Sequence, residues 1–450
     1  MNRMNGLEAQ IDEWRFYLSG AAVDDADIEE LEGHLRDQIA ELNSAGLADD
    51  EAFLVAVKRM GDIDSLSREF AREHSGRLWK QLMLRGDDRP TGAVGDWLEA
   101  LLFGMGAAIA LQAARLVARF PDETPIWLGR NLGLLVLPFL AAYFARRRRL
   151  GSRQWGLMAL PFVVAALLVN LYPFDPDSST ELLVALHLPV LLWFATAYPY
   201  VGGDLRSHER RMDFVRFTGE WVIYYILIAL GGGVLMGLTG VILDPIGGED
   251  LVDEVLNWVL PSGAAGAVVV AAWLVESKQR VVENMAPVLT MLFTPLFAVM
   301  LSVAAVTYAV SGVAGEFDRE LLGVFDVLMV VVLGLVLYAL SAREPTEPVG
   351  LMDRIELVAI GAALVLDGLV LGAMLARIGD LGFTPNRVAA LGLNLVLLVN
   401  LAGAAWLSAQ LLRARASRHR LERWQTSFLP VLAGWALVVV AVLPPLSGFD

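Results

Sequence analysis

Residues 355–376 read IELVAIGAALVLDGLVLGAMLA. As a helix rising about 1.5 Å per residue, such a run spans the ~30 Å hydrocarbon core of a bilayer. Working outward from it, ten further segments have the same length and apolar character: 97–118, 126–145, 154–172, 182–201, 217–243, 258–275, 287–312, 321–341, 387–411 and 427–446. The composition agrees. Of 450 residues, 56% are hydrophobic and 19% charged, against roughly 25% charged in a soluble domain. Long uncharged blocks such as Val163–Tyr172 and Ala286–Val313 do not fit alternating soluble cores. The expected fold is an all-α integral membrane protein with about eleven transmembrane helices, occupying residues 97–446.

The first 89 residues differ. They carry 20 Asp/Glu and 11 Lys/Arg, a large share of the chain's net charge of −15. Ile11, Trp14 and Leu18 mark one face of a helix over Leu7–Leu18. Ile28, Leu31, Leu35, Ile39 and Leu42 mark a second, behind an N-cap at Asp24 or Asp25. Phe53, Val57 and Met60 mark a third. Ile63, Leu66 and Phe70, after Asp62, mark a fourth. Four amphipathic helices predict a small acidic bundle over residues 1–75, joined to the membrane part by a linker, 76–96, that holds Arg77, Lys80, Arg85 and Arg89. The first thirty residues lack the apolar run of a signal peptide, so none is expected.

Loop charges set the expected topology. With the N-terminus in the cytoplasm, the inward connections hold 18 Lys/Arg, from Arg146–Arg149 and Arg153 through to Arg413–Arg423. The outward ones hold five: Arg119, Arg130, Arg319, Arg377 and Arg387. This is the asymmetry of the positive-inside rule. A missed or invented span would invert it from that point on. The expected frame is N-in, C-out.

Polar groups at bilayer depth are costly and stand as functional candidates. Asp367 is the clearest, twelve residues into its span. A lone carboxylate there must be protonated, hydrated or paired; it is either a proton or cation site or an acid bonded to a neighbouring helix. Asn394 and Asn400 belong to the next span and Asn386 immediately precedes it, fourteen residues from Asn400 and so near the same face; Asn joins helices by hydrogen bonds in membranes. Together with Asp367 they form the expected intramembrane polar site. Arg387, His187 and Glu220 are secondary candidates. A lone intramembrane histidine is more often structural than a metal ligand, and Glu220, like Glu276, lies where snorkelling to loop arginines is the default. Gly368, Gly372 and Ala376, and separately Ala229, Gly233 and Gly237, form small-xxx-small ridges that read as helix packing. Pro189, Pro261 and Pro295 predict kinks or unwound turns, and Gly231–Gly233 a possible break.

Several classes are disfavoured. Cysteine is absent, which removes thiolate nucleophiles, disulfides and Cys-type zinc sites. No H-E-x-x-H, no Walker loop and no Ser-His-Asp ordering is present, so no catalytic residues, metal or cofactor are expected. An acidic extramembrane segment argues against nucleic acid as a partner. The partner to expect is the lipid bilayer; the oligomeric state is not legible.

Two resemblances sharpen this. Residues 5–75, with Ile28–Leu42 and Asp49–Phe70 ending in Met60-Gly61-Asp62, resemble the small helical domain found ahead of bacterial permeases and membrane signalling proteins, a permease-prefix or helix-turn-helix-associated signalling domain. Residues 185–449 resemble a bacterial multi-pass inner-membrane family, a domain of unknown function. The likeness rests on Phe383-Thr384-Pro385-Asn386-Arg387 with Asn394 and Asn400, on Phe293-Thr294-Pro295-Leu296, on Arg319-Glu320, on Trp424-Gln425-Thr426 and on Pro444-Pro445. The resemblance implies a bacterial plasma-membrane location. The expected function is a regulated permease or channel-like protein for a small solute or ion, gated by the N-terminal bundle. The alternative is a non-transporting sensor that signals through that bundle to a cytoplasmic protein partner.

Overall fold

Hydrocarbon offers no partner to a backbone amide, so a spanning segment must satisfy its hydrogen bonds within itself. The computed structural model describes residues 25–44, 47–60, 93–117, 126–175, 178–243, 249–277, 279–311, 319–343 and 349–449, with Leu7, Glu8, Gln10, Ile11, Trp14 and Arg15. Among these the chain is helical and contains no strand. The expected fourth N-terminal helix and residues 76–92 of the basic linker lie outside the described residues, as do Arg119 and Lys278, while the linker's last residues, 93–96, already belong to the first membrane helix.

Two units are distinct, residues 1–95 and 96–450. The first contains α1 (Asp25–Ser44) and α2 (Asp49–Met60). They close on the core that the periodicity marked: Leu35, Ile39, Phe53 and Val57, with Ile11 and a fully buried Trp14. Arg36 donates to both Glu8 oxygens, at 2.8 and 2.7 Å, and to Glu32 at 2.9 Å. Hydrogen bonding to Arg36 holds the Glu8 carboxyl below its ordinary range.

The second unit holds α3 (Ala93–Val117), α4 (Ile126–Arg147), α5 (Ser152–Leu171), α6 (Ser179–Tyr200), α7 (His208–Leu243), α8 (Glu249–Ser277), α9 (Gln279–Ser311), α10 (Arg319–Ser341), α11 (Leu351–Leu381), α12 (Pro385–Leu412) and α13 (Arg418–Leu437). A π-turn, Val438–Val442, and a last turn, Leu443–Leu446, extend α13. All eleven are long and apolar enough to cross a membrane. The chain is a multi-pass membrane protein. Successive spans alternate direction, so connections fall at a proximal end, where α3 begins, and a distal end. Polar contacts respect this. Gln112 of α3 donates to Trp258 O of α8 distally, and Arg216 of α7 donates to Ser341 O of α10 proximally.

The helices build two cores side by side. Tyr143, Phe144, Leu188, Leu192 and Phe217 centre the first, drawn from α4, α6 and α7. Leu301, Met329, Ile360, Ala363, Leu397 and Leu401 centre the second, from α9 to α12. Close approach is made by aromatic rings laid on glycines. A Cβ on Gly392 would run into the Trp435 ring, and one on Gly403 into the Trp424 ring. Gly104 and Gly266 bring the backbones of α3 and α8 together.

Several expectations are corrected. No unwound turn forms at Pro189, Pro261 or Pro295 and no break at Gly231–Gly233, all of which lie within continuous helix. α7 starts nine residues before the expected 217 because its basic first turns are held by carbonyls. Arg210 donates to Val201 O and Arg211 to Thr426 O, so a polar extension stays helical beyond the apolar run. The ridges Gly368–Gly372–Ala376 and Ala229–Gly233–Gly237 do not pack helices of this chain. Their residues are exposed, and a Cβ on any of the four glycines would meet nothing within 4 Å. The small faces point outward because the larger residues on the opposite face of α11, among them Leu366, Val370 and Met374, fill the core.

Candidate functional site

The turn between α11 and α12 positions the polar residues. Gly382 takes φ +75°, and Thr384 caps α12, accepting from Arg387 N at 3.4 Å, with Pro385 as the first helical residue. Arg387 then reaches back, its Nη1 donating to Leu381 O at 3.0 Å and Gly382 O at 2.6 Å. These are the orphan carbonyls of a helix C-terminus, where a cation is favourable. Arg387 is thus a helix cap, and Asn386 lies on the first turn of α12 at the distal end, away from the bilayer interior. The sequence motif around them builds a turn.

Asp367 and Asn394 do lie inside. Both are fully buried. Asn394 Nδ2 donates to Asp326 Oδ1 on α10 at 2.7 Å and to Ala390 O at 3.1 Å, and it touches Met374 Sδ of α11 at 3.4 Å. Neither Asp367 oxygen, nor Asn394 Oδ1, has a hydrogen-bond partner among the described residues. Asp326 is an acid within electrostatic range of Asp367. Among the described residues no Lys, Arg or His is bonded to these three side chains from α10, α11 and α12, of which Asp367 and Asn394 are fully buried and Asp326 half-buried. Such oxygens in low dielectric demand a proton, a cation or water.

The expected contact of Asp367 with an asparagine does not form. α11 continues to Leu381, so Asp367 lies ~21 Å from the distal end by helical rise, about level with Asn400. Asn400, also fully buried, donates instead to Gln425 Oε1 of α13 at 3.0 Å, and its main-chain carbonyl accepts from Trp424 Nε1 at 3.0 Å. Asn400 is helix glue of the kind asparagine provides. Asp326, the partner of Asn394, was not singled out in the sequence, although it is an acid six residues into the expected span 321–341.

At the proximal end, a buried ion cluster joins α10, α11 and α13. Asp353 accepts from Arg418 at 2.7 and 3.2 Å, from Arg343 at 2.8 Å and from Gly350 N at 2.7 Å. Arg343 also lies 3.3 Å from Glu356. Distally, Arg130 pairs with Glu181 at 2.8 Å, its guanidinium over the Phe174 ring.

Two larger cavities take the remaining candidates. One, of about 580 Å³, lies between the two cores and is lined almost wholly by apolar groups, among them Phe194, Val222, Leu333 and Trp435. His187 borders it, with Nδ1 2.9 Å from Leu183 O on its own helix. The other, of about 510 Å³, is proximal and charged, with Arg148, Arg210, Arg216, Asp213, Glu220 and Glu276 on its walls. Glu276 pairs with Arg148 at 3.0 Å and accepts from the Tyr143 hydroxyl at 3.2 Å, as snorkelling predicts. The structure brings Glu220 and His187 to different cavities, and neither to Asp367.

No family model, curated protein or solved structure matches this chain.

Proposed function

We propose that this chain is a regulated permease or channel-like protein of a bacterial plasma membrane, passing a small solute or ion. The observation that carries the reading is Asp367. A fully buried carboxyl with two unpartnered oxygens, within electrostatic range of a second acid, is expensive to keep in a bilayer unless something binds there. The 18-to-five loop asymmetry supports a cytoplasmic N-terminus and an outer C-terminus. The acidic N-terminal unit then serves as a cytoplasmic regulatory domain. Its closed core around Trp14 and Leu35 also supports the second reading, a non-transporting regulator that signals through that unit to a cytoplasmic partner.

Flux separates the two. Purified protein in proteoliposomes is expected to carry ion or solute current that Asp367→Asn abolishes while abundance stays unchanged. If Asp367→Asn is silent and Asp367→Leu only lowers abundance, the carboxyl is structural and the transport reading fails.

A further inference from the structure

We infer that the ion handled by this site is a proton, and that Glu356 and Thr294 form a second station for it on the proximal side. The inference rests on the transport reading. It starts from the spacing of the acceptors. Asn394 touches Met374, which is seven residues beyond Asp367 on α11, so the Asn394–Asp326 pair lies ~10 Å along the helix from Asp367. A metal cation gathers its oxygens within about 2.0–2.6 Å of one point. These oxygens are strung along the bilayer normal instead. A proton needs one lone pair at a time, so a spread series suits it.

The series continues proximally. Glu356 precedes Asp367 by eleven residues, three turns plus about 20°, so both lie on one face of α11, ~16 Å apart. Glu356 is buried, and its Oε1 has no partner among the described residues. Thr294 of α9 is likewise buried with an unpartnered Oγ1. Both line one small cavity of about 10 Å³, closed by Phe297, Leu301, Val332 and Val336. That is about the room one water takes; its wall is apolar, so Glu356 and Thr294 must turn their orphan oxygens into it to hold that water. The charged groups around Glu356 are Arg343, Asp353 and Arg418, which lead to the proximal surface. Around Asp367, among the described residues, the titratable neighbour is Asp326. Between the stations lie Ala359, Ile360 and Ala363, buried with Leu301, Met329 and Val332. This apolar stretch is a closed gate that must hydrate for a proton to pass.

In the transfer step, the O–H bond of a protonated Glu356 breaks and its proton goes to water. Water then gives a proton to a carboxylate oxygen of Asp367, where the new O–H bond forms. Glu356 is left ionised beside Arg343 and is reprotonated from the proximal side. One proton moves and no electrons change hands.

The test uses full-length protein in proteoliposomes with an entrapped pH dye and an imposed pH gradient. Asp367→Asn is expected to abolish proton flux. Glu356→Gln is expected to slow it at least about tenfold, a barrier increase near 1.4 kcal/mol. Thr294→Val, nearly isosteric and uncharged, leaves the Arg343 contact in place and is expected to slow flux severalfold. If Asp367→Asn abolishes flux while Glu356→Gln and Thr294→Val keep the wild-type rate, the second station is refuted and the site stands. If sodium tracer crosses and protons do not, the proton assignment is refuted. If Asp367→Asn keeps the wild-type rate, the site reading itself falls. Should Glu356→Gln fail to fold, Thr294→Val alone decides the second station.

Discussion

Asp353→Asn removes the charge on which two arginines converge at the proximal end. Arg418, 4% exposed, donates two of its hydrogen bonds to that carboxylate, and Arg343 and the Gly350 amide donate one each. Breaking a buried pair by removing one partner costs about 3–5 kcal/mol, because the remaining charge is left uncompensated. Asparagine retains one acceptor oxygen, which places the expected loss near 3 kcal/mol, roughly a hundredfold in the folding equilibrium. Equilibrium unfolding in mixed micelles measures it, and a double-mutant cycle with Arg418→Met isolates the pair. The double variant is expected to be more stable than the sum of the single losses by more than about 1 kcal/mol, beyond what exposed pairs reach. A coupling under about 0.5 kcal/mol would refute the reasoning, since it would mean that water reaches the pair.

Gly392→Ala and Gly403→Ala each force a tryptophan ring aside, and each is expected to cost about 1–3 kcal/mol by overpacking. The two sites are ~16 Å apart on α12, so thermal melts of the double variant should show additive losses. Because the chain has no cysteine, single cysteines report topology cleanly. Phe383→Cys, on the exposed distal turn, is expected to react with an impermeant thiol reagent in intact cells, and Ser417→Cys, exposed at the proximal end, is not. A fragment of residues 1–75 is expected to give a helical circular dichroism spectrum. Trp14→Ala, which empties a fully buried position at about 3–5 kcal/mol, should abolish it in so small a domain.

Span positions were legible because hydropathy sums over about twenty residues and does not depend on which way any side chain points. What depends on rotation was not. Asp367, Asn394 and Asn400 stood out by chemistry, but their partners are set by the azimuth of each helix, which turns 100° per residue. Asp326 was hidden within the most hydropathic of the spans, and only its bond with Asn394 reveals it. The glycine ridges show the same limit. Spacing tells which face of a helix is narrow, and the larger residues opposite decide whether that face is covered. Arg387 and Asn386 were weighted by a sequence likeness whose physical content is a capped turn.

That capped turn has a mechanical consequence. With Thr384 closing one helix and Arg387 closing the other, α11 and α12 are bolted together distally. α10 is held to α11 at the opposite end, through Arg343 and Asp353. It can pivot near Ser341 only by unpacking its far end, where Phe325 is buried against Tyr308 and Asp326 bonds Asn394, fifteen residues or ~22 Å away. A tilt of about 10° about that pivot carries Asp326 ~4 Å, enough to part it from Asn394 and uncover the site distally, while the proximal clamp stays shut.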